Sequence, residues 1–271
     1  MRATKVQREA AIGTSSPSHT PIFVCSGAEA VTDIFARTAP HRRADLVFMQ
    51  NGIVRTLLPP DAPSPTVAVL YFSVLERGAS ATGGGCTFVH GRFAAVFSGV
   101  LRAGGLDCVE VATQQTIDSL AAEKLLWATC MWMVCHANGR LPVGQVHDLP
   151  ACQAQLREVV NELLPVACQS VRPVHNRTGP DQQQPEVGCV GELPAALDSL
   201  SSVLARMEAY SRRIPEALPS KKLALEEIVH RSGWFLVHGD ASRQPRHLAL
   251  LKKNGVDVSA LLSKVKPPQA A

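Results

Sequence analysis

The stretch TIDSLAAEKLLWATCMWMVC, residues 116–135, decides how the rest of the chain is read. Up to Lys124 its apolar residues recur at helical spacing, as Ile117, Leu120 and Ala121. Thr116 reads as the N-cap, and Asp118 places near the helix start the charge that end prefers. Over residues 125–135 only Thr129 interrupts the apolar run, so this half is expected to be buried on every side. The run falls short of the ~20 apolar residues a membrane span needs. Lys124 therefore stands where an exposed helix becomes a buried one. A desolvated lysine there has a lowered pKa and suits proton transfer. A lysine whose stem lies along the core edge with its amine in water fits the same pattern. The helix alone leaves both readings open.

Upstream, TPIFVC (20–25), DLVFM (45–49) and TVAVLYFSV (66–74) are short, continuous apolar runs, the signature of buried strands. A short helix over 29–38 separates the first two, the α/β crossover pattern, so these strands are expected to be parallel in part. The second strand runs into Gln50-Asn51-Gly52, and ligands of such sheets bind beyond the carboxyl ends of strands. Asn51 offers a donor and an acceptor, and Gly52 admits close backbone approach. An ordinary Asn-Gly turn reads identically. Gly83-Gly84-Gly85 lacks the Lys-Ser/Thr of a phosphate loop. Residues 87–90 read as an edge strand, 92–103 as a helix stopped by Gly104-Gly105, and 107–112 as a half-exposed strand.

The chain then turns helical, which places a domain boundary at 112–116. Asn138-Gly139 marks a turn, 151–170 an amphipathic helix, about 171–190 a mobile insertion, and 193–213 another helix. Ser220 caps SKKLALEEIVHRSGWFLV (220–237), read as one helix in which Glu226 and Glu227 face different ways. Glu227 alone fits a solvent-facing or a functional carboxylate. A short helix at 247–253 leads into the tail.

Composition narrows the function classes. With 46% apolar residues the chain can bury a sizeable core, and its net charge of +4 is spread out, so no nucleic-acid surface is expected. The 8 cysteines include no CxxC pair, and Cys25, Cys130, Cys135 and Cys168 sit in apolar runs. Buried, reduced thiols of a cytoplasmic protein account for that. The basic, Ser/Thr-rich first twenty residues are faintly like a transit peptide, which makes a plastid the other compartment. The histidines show no HxxxH or HExxH spacing, so no metal is assigned.

In order along the chain stand a strand ending in Gln50-Asn51-Gly52, a helix with Glu123-Lys124-Leu125, Asn138-Gly139-x-Leu141, and Glu227-Ile228 ahead of Gly233. This set resembles the ketopantoate reductase (2-dehydropantoate 2-reductase) family over about residues 20–250. It is most similar to a plant and algal branch with segments like TPIFVC, DLVFxQNG, AGGLxC and EKLxW. The resemblance implies α/β followed by all-α: a partial, N-terminally truncated Rossmann-like domain over 20–114 after a degenerate stretch at 1–19. A helical domain like the C-terminal part of 6-phosphogluconate dehydrogenase follows over 115–250, then a tail at 251–271. It implies NADP-dependent reduction of a 2-keto acid, with Lys124 as proton donor and Glu227 beside it. Asn51, Gly52 and Glu227 would meet the cofactor, Asn138 would hold the substrate, and Ser220 its carboxylate.

The chain also departs from the family's pattern. No strand with GxGxxG precedes Thr20, which implies weak dinucleotide binding. Ala128 and Trp132 stand where the family's helix carries asparagines, and Ser232 where it usually has another. A non-catalytic relative acting as a binding or dimerising protein is the alternative. A shortened sheet would leave an edge and an apolar face for a second copy to cover.

Overall fold

The computed structural model of the chain describes residues 19–72, 78, 80, 81, 83–171, 197 and 199–265. The N-terminal stretch before residue 19, residues 73 and 74 of the third strand, nearly all of the insertion near 171–190, the start of the helix read from 193 and the last six residues of the tail lie outside the described residues.

Five short strands form one sheet in the spatial order β1 (Ile22–Val24), β2 (Leu46–Phe48), β3 (Thr66–Val69), β4 (Thr87–His90), β5 (Cys108–Glu110). The first three run parallel, β4 is antiparallel to β3, and β5 is parallel to β4. Helix α1 (Val31–Arg37) lies in the crossover from β1 to β2. Leu46, Val47 and Phe48 are all fully buried, because helices cover both faces of this strand. The faces alternate as the pleat requires. Leu46, Phe48, Val67 and Val109 belong to the main core, while Val47, Ala68 and Val89 pack with Phe93 and Phe97 around α2 (Ala94–Ala103).

The stretches at 87–90 and 220–237 fold differently from the sequence reading, and the stretch read as the tail carries a further helix, Val258–Lys264. Residues 87–90 form an inner strand, bonded to β3 on one side and β5 on the other, so β5 is the edge. Gly91 makes this placement possible: its φ is 118°, and a Cβ there would lie 2.7 Å from the Cα of Thr66. The 220–237 stretch is two helices, α7 (Lys221–Glu226) and α8 (Ser232–His238), separated by a turn. In that turn Gly233 N–H donates to the Ile228 carbonyl at 2.7 Å, and a side chain on Gly233 would crowd that oxygen and Val265.

The long helix α3 (Gln114–Ala137) begins earlier than read, because Thr113 and not Thr116 caps it, its Oγ1 accepting the Thr116 N–H at 3.1 Å. Its first half lies on the sheet, with Ile117 and Leu120 in the same core as Val69 and Val111. Its second half is buried among α5 (Pro150–Ser170), α9 (Pro245–Lys253) and their neighbours, and Asn254 ties α9 to the Met133 carbonyl at 3.0 Å. Helices α4 (Val143–Val146), α6 (Leu200–Arg213) and α10 (Val258–Lys264) complete the described helical part. Cys130 and Cys135 are buried, and burial pushes the Cys135 thiol up to about 12, an inert form. Cys25 is exposed instead, because β1 ends before it. Among the described residues no helix is long and apolar enough to cross a membrane, and no His/Cys/Asp/Glu group could hold a metal ion.

Candidate functional site

The end of β2 carries Gln50-Asn51-Gly52 into the space between sheet and helices. Gln50 is a staple: its Nε2 donates to the carbonyls of Val24 at 2.7 Å and Ser26 at 3.1 Å, tying the ends of β1 and β2 together. Arg55, just beyond, pairs with the buried Asp118 of α3 at 2.8 Å. Gly52 has φ +100°, and a Cβ there would sit 3.4 Å from the His230 carbonyl, so the loop lies against the α7–α8 turn. Pinned at these points, the loop has little freedom and presents Asn51 to α3.

Asn51 is the hub. Its Oδ1 accepts from Lys124 Nζ at 3.1 Å, and its Nδ2 donates to Glu227 Oε2 at 3.4 Å. Arg231 Nε donates to the same Glu227 oxygen at 2.6 Å. The helix break places Glu227 as the C-cap of α7 and turns it inward, whereas Glu226 is exposed. Burial lowers the pKa of Lys124 to about 8; the Arg231 charge pushes the same way and the Glu227 carboxylate opposes both. An amine so tuned exchanges protons near neutral pH.

Beside the amine opens a cleft with about 240 Å³ of empty space, part of it open to solvent. Lys124 Nζ stands 5.7 Å from the Tyr71 ring centre. Tyr71 meets Tyr210 edge-on at 5.1 Å, and Trp127 meets Tyr210 at 4.7 Å. Glu123 and Arg206, 2.9 Å apart, line the same cleft. The wall is held from behind by Gly83-Gly84-Gly85. A Cβ on Gly85 would lie 2.7 Å from Tyr71 Cβ, and one on Gly84 2.6 Å from Arg213 Cβ. These glycines therefore serve close backbone packing.

Compared by sequence, the chain matches no protein-family model and no curated protein. Its structure does match solved ones. The probable 2-dehydropantoate 2-reductase of Bacillus subtilis superposes with a TM-score of 0.58 over 88% of this chain and 76% of its own, at 14% identity. The fold is that of the ketopantoate reductases. A dimeric ketopantoate reductase of Staphylococcus aureus matches with a TM-score of 0.55 over 90% and 78%, at 13% identity. A D-mandelate dehydrogenase solved with NADH matches with a TM-score of 0.55 over 90% and 79%, at 14% identity.

On this ketopantoate-reductase fold, Lys124, Asn51, Gly52 and Glu227 converge, although Asn51 and Glu227 are 176 positions apart. Asn138 and Ser220 do not join them. Asn138 is the C-cap of α3, 14 residues beyond Lys124 or about 21 Å along the helix. Its Nδ2 is taken up by the Val134 carbonyl at 2.8 Å and Gln155 Oε1 at 2.7 Å. Ser220 is the exposed N-cap of α7, its Oγ accepting from Leu223 N–H at 3.2 Å. Trp132 is a core residue, 1% exposed. Arg231 and the aromatic wall escaped the sequence reading. Arg231 had a signal, its i,i+4 spacing from Glu227. Tyr71 and Tyr210, the chain's 2 tyrosines, had none.

Proposed function

We propose that the chain is an oxidoreductase that reduces a 2-keto acid to a 2-hydroxy acid with a nicotinamide dinucleotide, NADP by the sequence resemblance. The observation that carries this reading is the Lys124 amine, held by Asn51 at 3.1 Å where the sheet's carboxyl end meets the helices, with its pKa brought down to about 8. When bound, the dinucleotide supplies hydride to the keto carbon. Lys124 then gives its ammonium proton to the carbonyl oxygen as the alkoxide forms, and takes another from solvent. Asn51 orients that proton by holding Nζ, and Glu227 keeps a balancing charge within reach.

Asn51 and Gly52 fit the nicotinamide end of the cofactor, since they place an amide and a side-chain-free backbone beyond a parallel strand. The GxGxxG that would seat the pyrophosphate does not occur in the 271 residues. That absence favours a second reading, a binding or dimerising relative without catalysis. Titration with NADPH and a 2-keto acid assay separate the two. For the enzyme, Lys124→Ala is expected to lower kcat by ~10²-fold or more. An unchanged rate would rule Lys124 out as the donor, and absence of NADPH binding would favour the second reading.

A further inference from the structure

With the Ser220 hydroxyl occupied by its helix cap, the carboxylate of a 2-keto acid still lacks a partner in the site. The acid does not enter between the aromatic rings. Only about 20 Å³ is free between Tyr71, Trp127 and Tyr210, room for about one water. The ligand side of Lys124 is therefore the polar one, where Asn51, Glu227 and Arg231 stand.

Of the arginines in this region, Arg55 is taken by Asp118 at 2.8 Å and the Ser170 carbonyl at 3.3 Å, and Arg206 by Glu123 at 2.9 Å. Arg231 is only half engaged. Its Nε donates to Glu227 at 2.6 Å, while neither terminal nitrogen has a hydrogen-bond partner among the described residues. Its side chain is 11% exposed, and both of those nitrogens still reach solvent. A nearly buried guanidinium with half its donors unmatched favours an anion that completes it. The open edge between Nη1 and Nη2 matches the two oxygens of a carboxylate. Lys124 likewise keeps donors beyond the one that Asn51 takes. Two cations stand here against the single carboxylate of Glu227, which leaves a positive charge for a ligand. Arg231 is near enough for its charge to press the Lys124 pKa down. In a 2-keto acid the carboxylate and the keto oxygen sit on adjacent carbons, so two neighbouring cations suit it, one for each.

We infer that Arg231 holds the substrate carboxylate through its two terminal nitrogens while Lys124 serves the keto oxygen. This rests on the keto-acid reading of Lys124, and it adds the residue that selects acids over their neutral analogues. Isothermal titration calorimetry of the full chain, with and without NADP+, tests it with 2-oxobutyrate and its neutral amide, 2-oxobutyramide. The acid is expected to bind about 10-fold more tightly than the amide, or better. Arg231→Gln is expected to remove most of that preference. The double variant Arg231→Gln/Glu227→Gln is expected to lack it too, although no bare carboxylate is left there to repel the acid. Equal binding of acid and amide by the parent, or no 2-oxobutyrate binding at millimolar concentration, overturns the assignment whatever the variants do. A preference unchanged in Arg231→Gln also overturns it. One that returns in the double variant means that Arg231 acts only by neutralising Glu227, and overturns the contact. Turnover with NADPH is read separately. An acid bound through Arg231 but never reduced keeps the carboxylate site and removes the reductase. Reduction with a KM that Arg231→Gln leaves unchanged keeps the reductase and removes the carboxylate site.

Discussion

At Lys124 two opposing influences set the proton affinity. Burial and the Arg231 guanidinium both disfavour the ammonium, and Glu227 favours it. Arg231 also binds Glu227 at 2.6 Å, which keeps that carboxylate from pairing fully with the lysine. Removing Arg231 takes away a cation and frees an anion, so both changes raise the Lys124 pKa. The proposed keto-acid reduction would use the protonated amine, so kcat/KM for the parent is expected to fall as pH rises through about 8. In Arg231→Gln that alkaline limb moves up by roughly one pH unit, and in Arg231→Lys it stays nearer the parent. The rate of Lys124 acetylation against pH, read by mass spectrometry, follows the same pKa without turnover. If both profiles stay put in Arg231→Gln, Arg231 does not tune the lysine. Of these residues Lys124 was legible in sequence, because the last charge before an apolar run is a local pattern. Its lowered pKa was not, because Arg231 lies 107 positions further along the chain, in an element with its own periodicity.

At the scale of elements, the glycines divide by what surrounds them. Gly99 lies on the exposed side of α2 with nothing within 4 Å of an added Cβ. Gly99→Ala is expected to stabilise the fold by up to about 1 kcal/mol, since alanine loses less backbone entropy in a helix. Gly85 is the opposite case: its added Cβ meets Tyr71 Cβ at 2.7 Å. Gly85→Ala is expected to cost about 1–3 kcal/mol and to displace the Tyr71 ring. Urea unfolding midpoints compare the two, and a Gly85→Ala midpoint at or above that of the parent would mean the loop yields freely. From sequence, Gly83-Gly84-Gly85 shows only what it is not. The first three strands were legible as short apolar runs, β5 by its alternation, and α3 and α5 by their helical period, whereas the inner place of β4 was not. The break between α7 and α8 was not: Ile228 and Val229 continue the apolar pattern, and the turn answers instead to Gly233 and to the loop at Asn51.

Over the whole molecule, buried histidines tie stability to pH. His247 is fully buried, its Nδ1 paired with Gln244 Oε1 at 2.9 Å, and burial drives its pKa down to about 3. In the unfolded chain it titrates near 6.5. Between these values the unfolded state binds the proton and the folded state does not, so stability is full above about 6.5 and falls as pH drops towards 3. The slope from this residue is at most ~1.4 kcal/mol per pH unit. Burial lowers His147 and His238 in the same sense, while Asp118, raised by burial, works the other way. Thermal unfolding from pH 7 to 4 is expected to show a falling Tm, with a shallower fall in His247→Gln. An identical slope in the two proteins would place the acid sensitivity elsewhere.

The sequence by itself determined most of the strands and helices and the α/β-then-helical order, but not the burial of α3, whose residues 117–122 are buried against the sheet where the pattern predicts an exposed half ahead of Lys124. The elements and their order are properties of short-range periodicity, set by which side chains each segment must bury. Tertiary structure alone decided what the polar residues do. Asn51-Gly52 and Asn138-Gly139 are the same dipeptide, yet one Asn bridges Lys124 and Glu227 and the other caps a helix through Val134 and Gln155. Nothing local separates them, because a polar side chain takes its role from partners that only packing brings within hydrogen-bond reach.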